Sequence, residues 1–211
     1  MKLVNPFHSK MPAPKASSAT NSFKAKAQAQ AIESTYRQQF LSHMREDCVI
    51  LDTETTGIPG KCENPRIIEI SIIDMEGNAL LSCLLNPECT IPEDAKAVNG
   101  ISDEMVSGAQ TFREASRDIL RVLRGKTIVG WNISFDINML KHELDLAGAS
   151  APDFSSWDAM GPYAKATGKG RFCKLCKAAE DLEIEEEQDH RSLGDCLMTL
   201  EVMCRFVSKE Q

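Results

Sequence analysis

Leu51-Asp52-Thr53-Glu54-Thr55-Thr56-Gly57 closes the short apolar run Cys48–Leu51. The run reads as a buried strand, and the Thr-Thr-Gly-Ile-Pro-Gly that follows reads as a turn. Side chains alternate along a strand, so Asp52 and Glu54 share one side and Thr53 points to the other. Two carboxylates on one face at the end of a buried run repel each other unless a cation joins them. Oxygen donors of this kind suit Mg²⁺ or Mn²⁺. Alone, an Asp-x-Glu pair reads more simply as an exposed strand end carrying two surface acids.

Two further acids follow at a distance. Thr127–Val129 reads as a second buried strand ending at Gly130, and the polar loop Trp131-Asn132-Ile133 leads into a helix at Ser134–Ala147. Ser134 is a candidate cap and Asp136 lies in the first turn. Ligands collect at the carboxyl ends of strands in open α/β sheets, which brings Asp136 toward the first pair; an ordinary first-turn acid is the plainer reading. Asp195 sits in the apolar helix Arg191–Val207, on the side of Val202 and Phe206. A carboxylate facing apolar packing needs a partner. His190 is five residues earlier, so it flanks the same site only from the loop before the helix.

The intervening elements set the fold class. Cys48–Leu51, Arg66–Asp74 and Ala79–Leu85 are strands with links short enough for antiparallel neighbours. Helices are expected near Pro92–Val98 and Ser102–Val106, over Phe112–Leu123, and over Arg171–Leu182; Asp153–Trp157 reads as a short edge strand. Strands first, then alternating helix and strand, point to a mixed α/β sheet flanked by helices.

Residues 1–25 hold MPAPKASSAT and read as a disordered basic leader. From about Ala27 to Met44 a helix is expected, striped by Ile32, Tyr36, Phe40 and Met44, docking on the domain or on a partner. The domains are thus 1–25, 26–46 and 47–211. The formal charge of −7 is uneven: seven basic residues stand against two acidic ones up to residue 46, and seventeen against twenty-nine beyond it. An acidic body argues against broad contact with duplex phosphates, but not against a small site gripping one strand end through cations. No apolar run approaches the roughly 20 residues of a bilayer span, and no signal peptide is evident. A cytoplasmic protein with free thiols at its eight cysteines is expected. Cys173 and Cys176 form a C-x-x-C pair in the expected Arg171–Leu182 helix. Without a second pair they read as core thiols, not as half a zinc site.

In order and spacing, LDTETTG at 51–57, Asn132-Ile133-Ser134-Phe135-Asp136, and His190-x4-Asp195 resemble the DnaQ-like (DEDDh) 3'-5' exonuclease superfamily, which includes the DNA polymerase III proofreading subunit, ribonuclease T and oligoribonuclease. The likeness runs from about Cys48 to Val207. It implies a ribonuclease H-like mixed five-stranded sheet with the first three strands antiparallel. It also implies Asp52, Glu54, Asp136 and Asp195 as ligands of two Mg²⁺ or Mn²⁺ ions, with His190 as general base. Glu69 in Ile-Ile-Glu-Ile takes a structural place, and Asp158 a supporting one. Where relatives often carry His-Gly-Ile, this chain has Asn99-Gly100-Ile101, which puts terminal-nucleotide preference in question.

The implied reaction is hydrolysis of the terminal phosphodiester to nucleoside 5'-monophosphates, with two ions about 3.5–4 Å apart. Thr55, Gly57, Ile58, Asn99, Asn132, Phe135 and Arg171 are the candidate substrate contacts, Ile58 as a wedge against the last base and Phe135 more as a core residue. Lys165, Lys169 and Arg171 form a basic run that reads equally as a contact for backbone phosphates and as a solvated loop. The expected substrate is a single-stranded or frayed 3' end of DNA. The alternatives are an exoribonuclease acting on RNA ends, and a catalytically weak scaffold. A polymerase or other protein partner would engage the first 45 residues.

Overall fold

The computed structural model describes residues 18–185 and 190–208, with side chains from residue 25 onward. Five strands form one sheet in the order β3-β2-β1-β4-β5: β1 Cys48–Thr55, β2 Ile67–Ile73, β3 Ala79–Leu84, β4 Thr127–Gly130 and β5 Ser155–Asp158. The first three pair antiparallel, whereas β4 and β5 run parallel to β1. The helices are α1 Ser18–Ser42, α2 Glu93–Asn99, α3 Asp103–Val106, α4 Phe112–Leu123, α5 Ser134–Ala147, α6 Met160–Ala166, α7 Leu175–Asp181 and α8 Ser192–Ser208. The expected mixed sheet flanked by helices is the observed one.

Alternation along β1 divides the core. Val49 and Leu51 pack with α4 and α5, beside Ile119, Leu123, Leu140 and Leu144. Cys48 and Ile50 pack on the opposite face with α7 and α8, beside Ala178, Cys196, Val202 and Phe206. The same alternation, continued past the apolar run, delivers the functional side chains. Asp52 and Glu54 fall on the α8 face and Thr53 on the α5 face. In the β1–β2 pair, Asp52 lies opposite Ser71 and Glu54 opposite Glu69.

Arginine contacts to two buried glutamates hold the two helices that carry acids. Glu143 of α5, 1% exposed, accepts from Arg66 Nε at 2.9 Å and from the Ile67 backbone N–H at 2.9 Å. Glu69 of β2 pairs with Arg191 at the head of α8 and accepts from the Ser192 N–H at 2.9 Å. Neither Glu143 nor the two arginines announce themselves in the sequence, because each partner lies 76 or more residues away.

Several expectations need correction. The N-terminal helix starts at Ser18, inside the stretch 1–25 read as a leader; residues 1–17 lie outside the described residues. Its stripe is shorter than expected. Phe40 is fully buried against Trp157 and Phe206, with ring centroids 5.0 and 4.9 Å apart. Ile32 stays 43% exposed, and Met44 lies beyond the helix end. The helix docks on the domain through its last turns, while residues 25–31 are all exposed. Ser134 does not cap α5: it is inside the helix, and Ile133 occupies the cap without a side-chain bond. The helix expected over Arg171–Leu182 is only Leu175–Asp181, which leaves Cys173 in the preceding loop. Alanine and glycine around Tyr163 hid α6 from the periodicity, and that helix carries Lys165. On α8 the side of Asp195, Val202 and Phe206 is buried as expected, whereas the apolar Leu197 is 38% exposed.

Gly130, where β4 ends beside the site, has no room for a side chain. A Cβ there would lie 2.6 Å from Ile133 Cδ1 and 2.9 Å from the Leu51 carbonyl oxygen. Gly130→Ala is expected to cost about 1–3 kcal/mol, read from a urea unfolding midpoint. An unchanged midpoint would mean that the two strand ends can part freely.

Candidate active site

Asp52, Glu54 and Asp195 meet at the carboxyl end of β1. One carboxylate oxygen from each lies within 4.8 Å of the others. Asp195 is 7% exposed, held by the apolar face of α8. Asp136 reaches the cluster from the opposite layer. It is 3% exposed, and its Oδ1 accepts from the Thr53 N–H at 3.0 Å and from Thr53 Oγ1 at 2.7 Å. Thr53, which the alternation turned away from its two acidic neighbours, thus fixes the fourth acid. His190 lies in the segment just before α8, exposed, with a left-handed backbone at φ 52°.

Crowding and loss of water act on these acids in the same direction. Burial pushes Asp52 well above the usual carboxylate range, and the charges of Asp136, Asp195, Glu54 and Glu69 add to the effect. Burial, then Asp195, Glu69 and Asp136, carry Glu54 up to about 8, with Arg191 offsetting part of the rise. Burial raises Asp136 to about 7 against the lowering pull of the Thr53 hydrogen bonds. Without a cation the cluster therefore holds protons at neutral pH. The donor set is made of carboxylate oxygens alone, close enough to converge on one point, which suits a hard divalent cation. Asp52, Glu54 and Asp195 would hold it, with Asp136 at the margin.

A groove of about 530 Å³ opens beside Glu54. It brings together Thr55, Gly57, Ile58, Asn99 and Phe135, all expected as substrate contacts from separate parts of the chain. Ile58 is 54% exposed at its rim. Phe135, expected mainly in the core, is half-buried and lines the groove while packing on the α5 layer. Asn99 is buried, accepts from the Ile101 N–H at 3.0 Å and donates to the Thr55 carbonyl at 3.4 Å, so it braces the wall. Val98, 59% exposed, and Lys61 also line the groove, and neither stood out in sequence.

Other candidates are placed elsewhere. Asn132 is exposed with φ 63°, and its N–H donates to Asp158 Oδ1 at 2.8 Å, while Gly161 N–H donates to Asp158 Oδ2 at 3.1 Å. Asp158 therefore braces the loop leading to Asp136. Arg171 is exposed outside the groove lining, and Lys165 is exposed on α6. Lys169 is paired with Asp181 at 2.6 Å, so it is not open to a phosphate.

Residues 49–203 match the family model of RNase_T, described as an exonuclease. The chain belongs to the RNase_T exonuclease family. Among its relatives, the uncharacterized exonuclease CP81 of Escherichia phage 186 is 33% identical over 80% of this chain and 92% of the phage protein. The DNA polymerase III subunit epsilon of Treponema pallidum is 34% identical over 82% of each chain. The 3'-5' exonuclease DinG of Bacillus subtilis is 29% identical over 76% of this chain, which spans only 18% of DinG. In fold, the nuclease domain of 3'hExo, a DEDDh family member solved with rAMP, superposes with a TM-score of 0.62 at 17% identity, over 76% of this chain and 91% of that domain. The exonuclease domain thus accounts for the acid cluster and the sheet that carries it. No described helix is long and apolar enough to cross a membrane.

Glu54 moves from an ordinary 4.5 to about 8 on folding. Across that window the folded, cation-free exonuclease holds more protons than the unfolded chain, so its stability falls as pH rises. A cation displaces those protons, and its stabilising effect must grow over the same window. Millimolar Mg²⁺ is expected to raise the melting temperature little at about pH 5 and by several degrees at about pH 8.5. An equal gain at both pH values would contradict the assignment.

Proposed function

We propose that this chain is a 3'-5' exonuclease that removes nucleoside 5'-monophosphates from single-stranded or frayed DNA ends, using two divalent cations, Mg²⁺ or Mn²⁺. The observation that carries the reading is the convergence of Asp52, Glu54 and Asp195 within 4.8 Å, beside a groove of about 530 Å³ lined by Glu54, Ile58 and Phe135. Divalent cations bound there supply Lewis-acid stabilisation of the phosphodiester and acidify the attacking water.

The chain's own groups do the rest. Asp52, Glu54 and Asp195 hold the cations, with Asp136, oriented by Thr53, completing the set. His190 takes the proton of the attacking water, a task suited to a group whose ordinary pKa is about 6.5. Ile58 and Phe135 receive the last base on apolar surface, which separates it from its neighbour without reading sequence. Thr55 and Gly57 offer backbone to the terminal sugar, and Asn99 keeps that wall in place. Asn132 and Arg171, both exposed and outside the groove lining, would meet the strand only beyond its terminal nucleotide. DNA is the favoured substrate because the Treponema relative is named as a DNA polymerase subunit. Residues 25–31 of α1, all exposed, would be available to a polymerase or another protein partner.

A panel labelled at the 5' end (single-stranded DNA, mismatched duplex DNA, short RNA, structured RNA) tests the reading. Stepwise shortening of labelled DNA with release of 5'-mononucleotides is expected. Early release of the label, or preference for RNA, would contradict polarity or substrate. Asp52→Asn and Asp195→Asn should each lower turnover at least on the order of 10³-fold while the fold persists. His190→Ala should lose about 10²–10⁴-fold and still bind Mn²⁺.

A further inference from the structure

Glu69 and Arg191 border the site and have no part in the chemistry above. Glu69 is 5% exposed on β2, directly across from Glu54. Its two oxygens are engaged from one direction. Arg191 Nε donates to them at 3.1 and 3.0 Å, Arg191 Nη2 donates to Oε1, and the Ser192 N–H donates to Oε2 at 2.9 Å. Ser192 is tied to β2 a second time, its Oγ lying 2.8 Å from Ser71 Oγ. Residues 191 and 192 are therefore locked to the strand beside the metal-ligand candidates, immediately after the exposed His190.

We infer that the Glu69–Arg191 ion pair is a latch that sets the position of His190, which makes Arg191 a positioning residue for the base. The inference rests on the proposed role of His190. Its physical ground is the backbone. His190 sits at φ 52°, a left-handed conformation that is uncommon for a residue with a side chain, though histidine adopts it more readily than most, so a constraint from the surroundings helps to hold it. The forked guanidinium gripping a buried carboxylate is a constraint of that kind, fixed in direction as well as distance. Asp195 depends on the latch far less. It lies in the first turn of α8, and although its N–H donates to the Arg191 carbonyl at 3.0 Å, the helix itself is anchored by Cys196, Val202, Met203 and Phe206 in the core. Releasing the latch therefore frees the base and leaves the cation ligands in place. A misplacement of about 1 Å in a reacting group is enough to cost on the order of 10²-fold in rate.

The test is a double-mutant cycle on a 5'-labelled single strand: Arg191→Met, His190→Ala and the two combined, with kcat and KM measured separately and Mn²⁺ affinity by titration. Arg191→Met is expected to lower kcat by on the order of 10²-fold, with KM and Mn²⁺ affinity within about threefold of wild type. The combined variant is expected to be no slower than His190→Ala alone, because both changes remove one function. Losses that multiply in the combined variant, a large fall in Mn²⁺ affinity, or wild-type kcat in Arg191→Met would each overturn the latch. A normal rate in His190→Ala would remove the base reading, and the latch with it. Multiplied losses on a crippled His190→Ala enzyme would remove the latch alone. Should Arg191→Met fail to fold, Arg191→Lys takes its place, since it keeps the cation and loses the fork. The same absence of additivity is then expected, with a kcat loss of about tenfold or more.

Discussion

Mutual repulsion among carboxylates that the fold does not allow to separate is the constraint on which the rest of this structure depends. Two ionised groups about 4.8 Å apart repel by on the order of 3 kcal/mol at an effective dielectric of about 20. Asp52, Glu54 and Asp195 are held at that range by a strand in mid-sheet and a helix packed across its face. Such a cluster has two ways to exist at neutral pH. It binds protons, as the upward shifts of Asp52 and Glu54 indicate, or it binds a multivalent cation. The fold is thus a device for keeping the acids close until a cation relieves them.

The sheet achieves this by drawing on both of its layers. From the α8 layer come Asp195 and, ahead of it, His190. From the α5 layer comes Asp136, joined to β1 through Thr53. Each helix is in turn fastened to β2 by a buried glutamate and an arginine: Glu143 with Arg66 on one side, Glu69 with Arg191 on the other. Buried pairs of this sort contribute little net stability compared with apolar packing, but they resist sliding because an unpaired buried charge is costly. That suits helices whose task is to deliver single side chains to a shared point.

Much of this was legible in the sequence, and the boundary between what was and was not has a physical basis. Alternation along residues 48–54 placed Asp52 and Glu54 together, and the helical periods of Phe112–Leu123 and Ser134–Ala147 agree with the structure to the residue. The groove residues Thr55, Ile58 and Asn99 came from motif position and do converge. Periodicity failed where small residues carry the packing, as in α6, and where a helix begins without a side-chain cap, as at Leu175. Long-range partners such as Arg66 with Glu143, and Arg191 with Glu69, left no local trace. The basic run Lys165–Arg171 looked like one surface but divides between a helix, an internal ion pair and an exposed loop. Charge counted along the chain does not reveal where each charge is spent.

The acidic body and the apolar groove together favour a grip on one strand end over a long electrostatic track along nucleic acid. What makes such a grip possible is a cation seated among the acids, and anomalous diffraction from manganese-loaded crystals locates that cation directly. A strong anomalous peak enclosed by the carboxylates of Asp52, Glu54 and Asp195 is expected. Manganese found only at surface acids, with that enclosure empty, would contradict it.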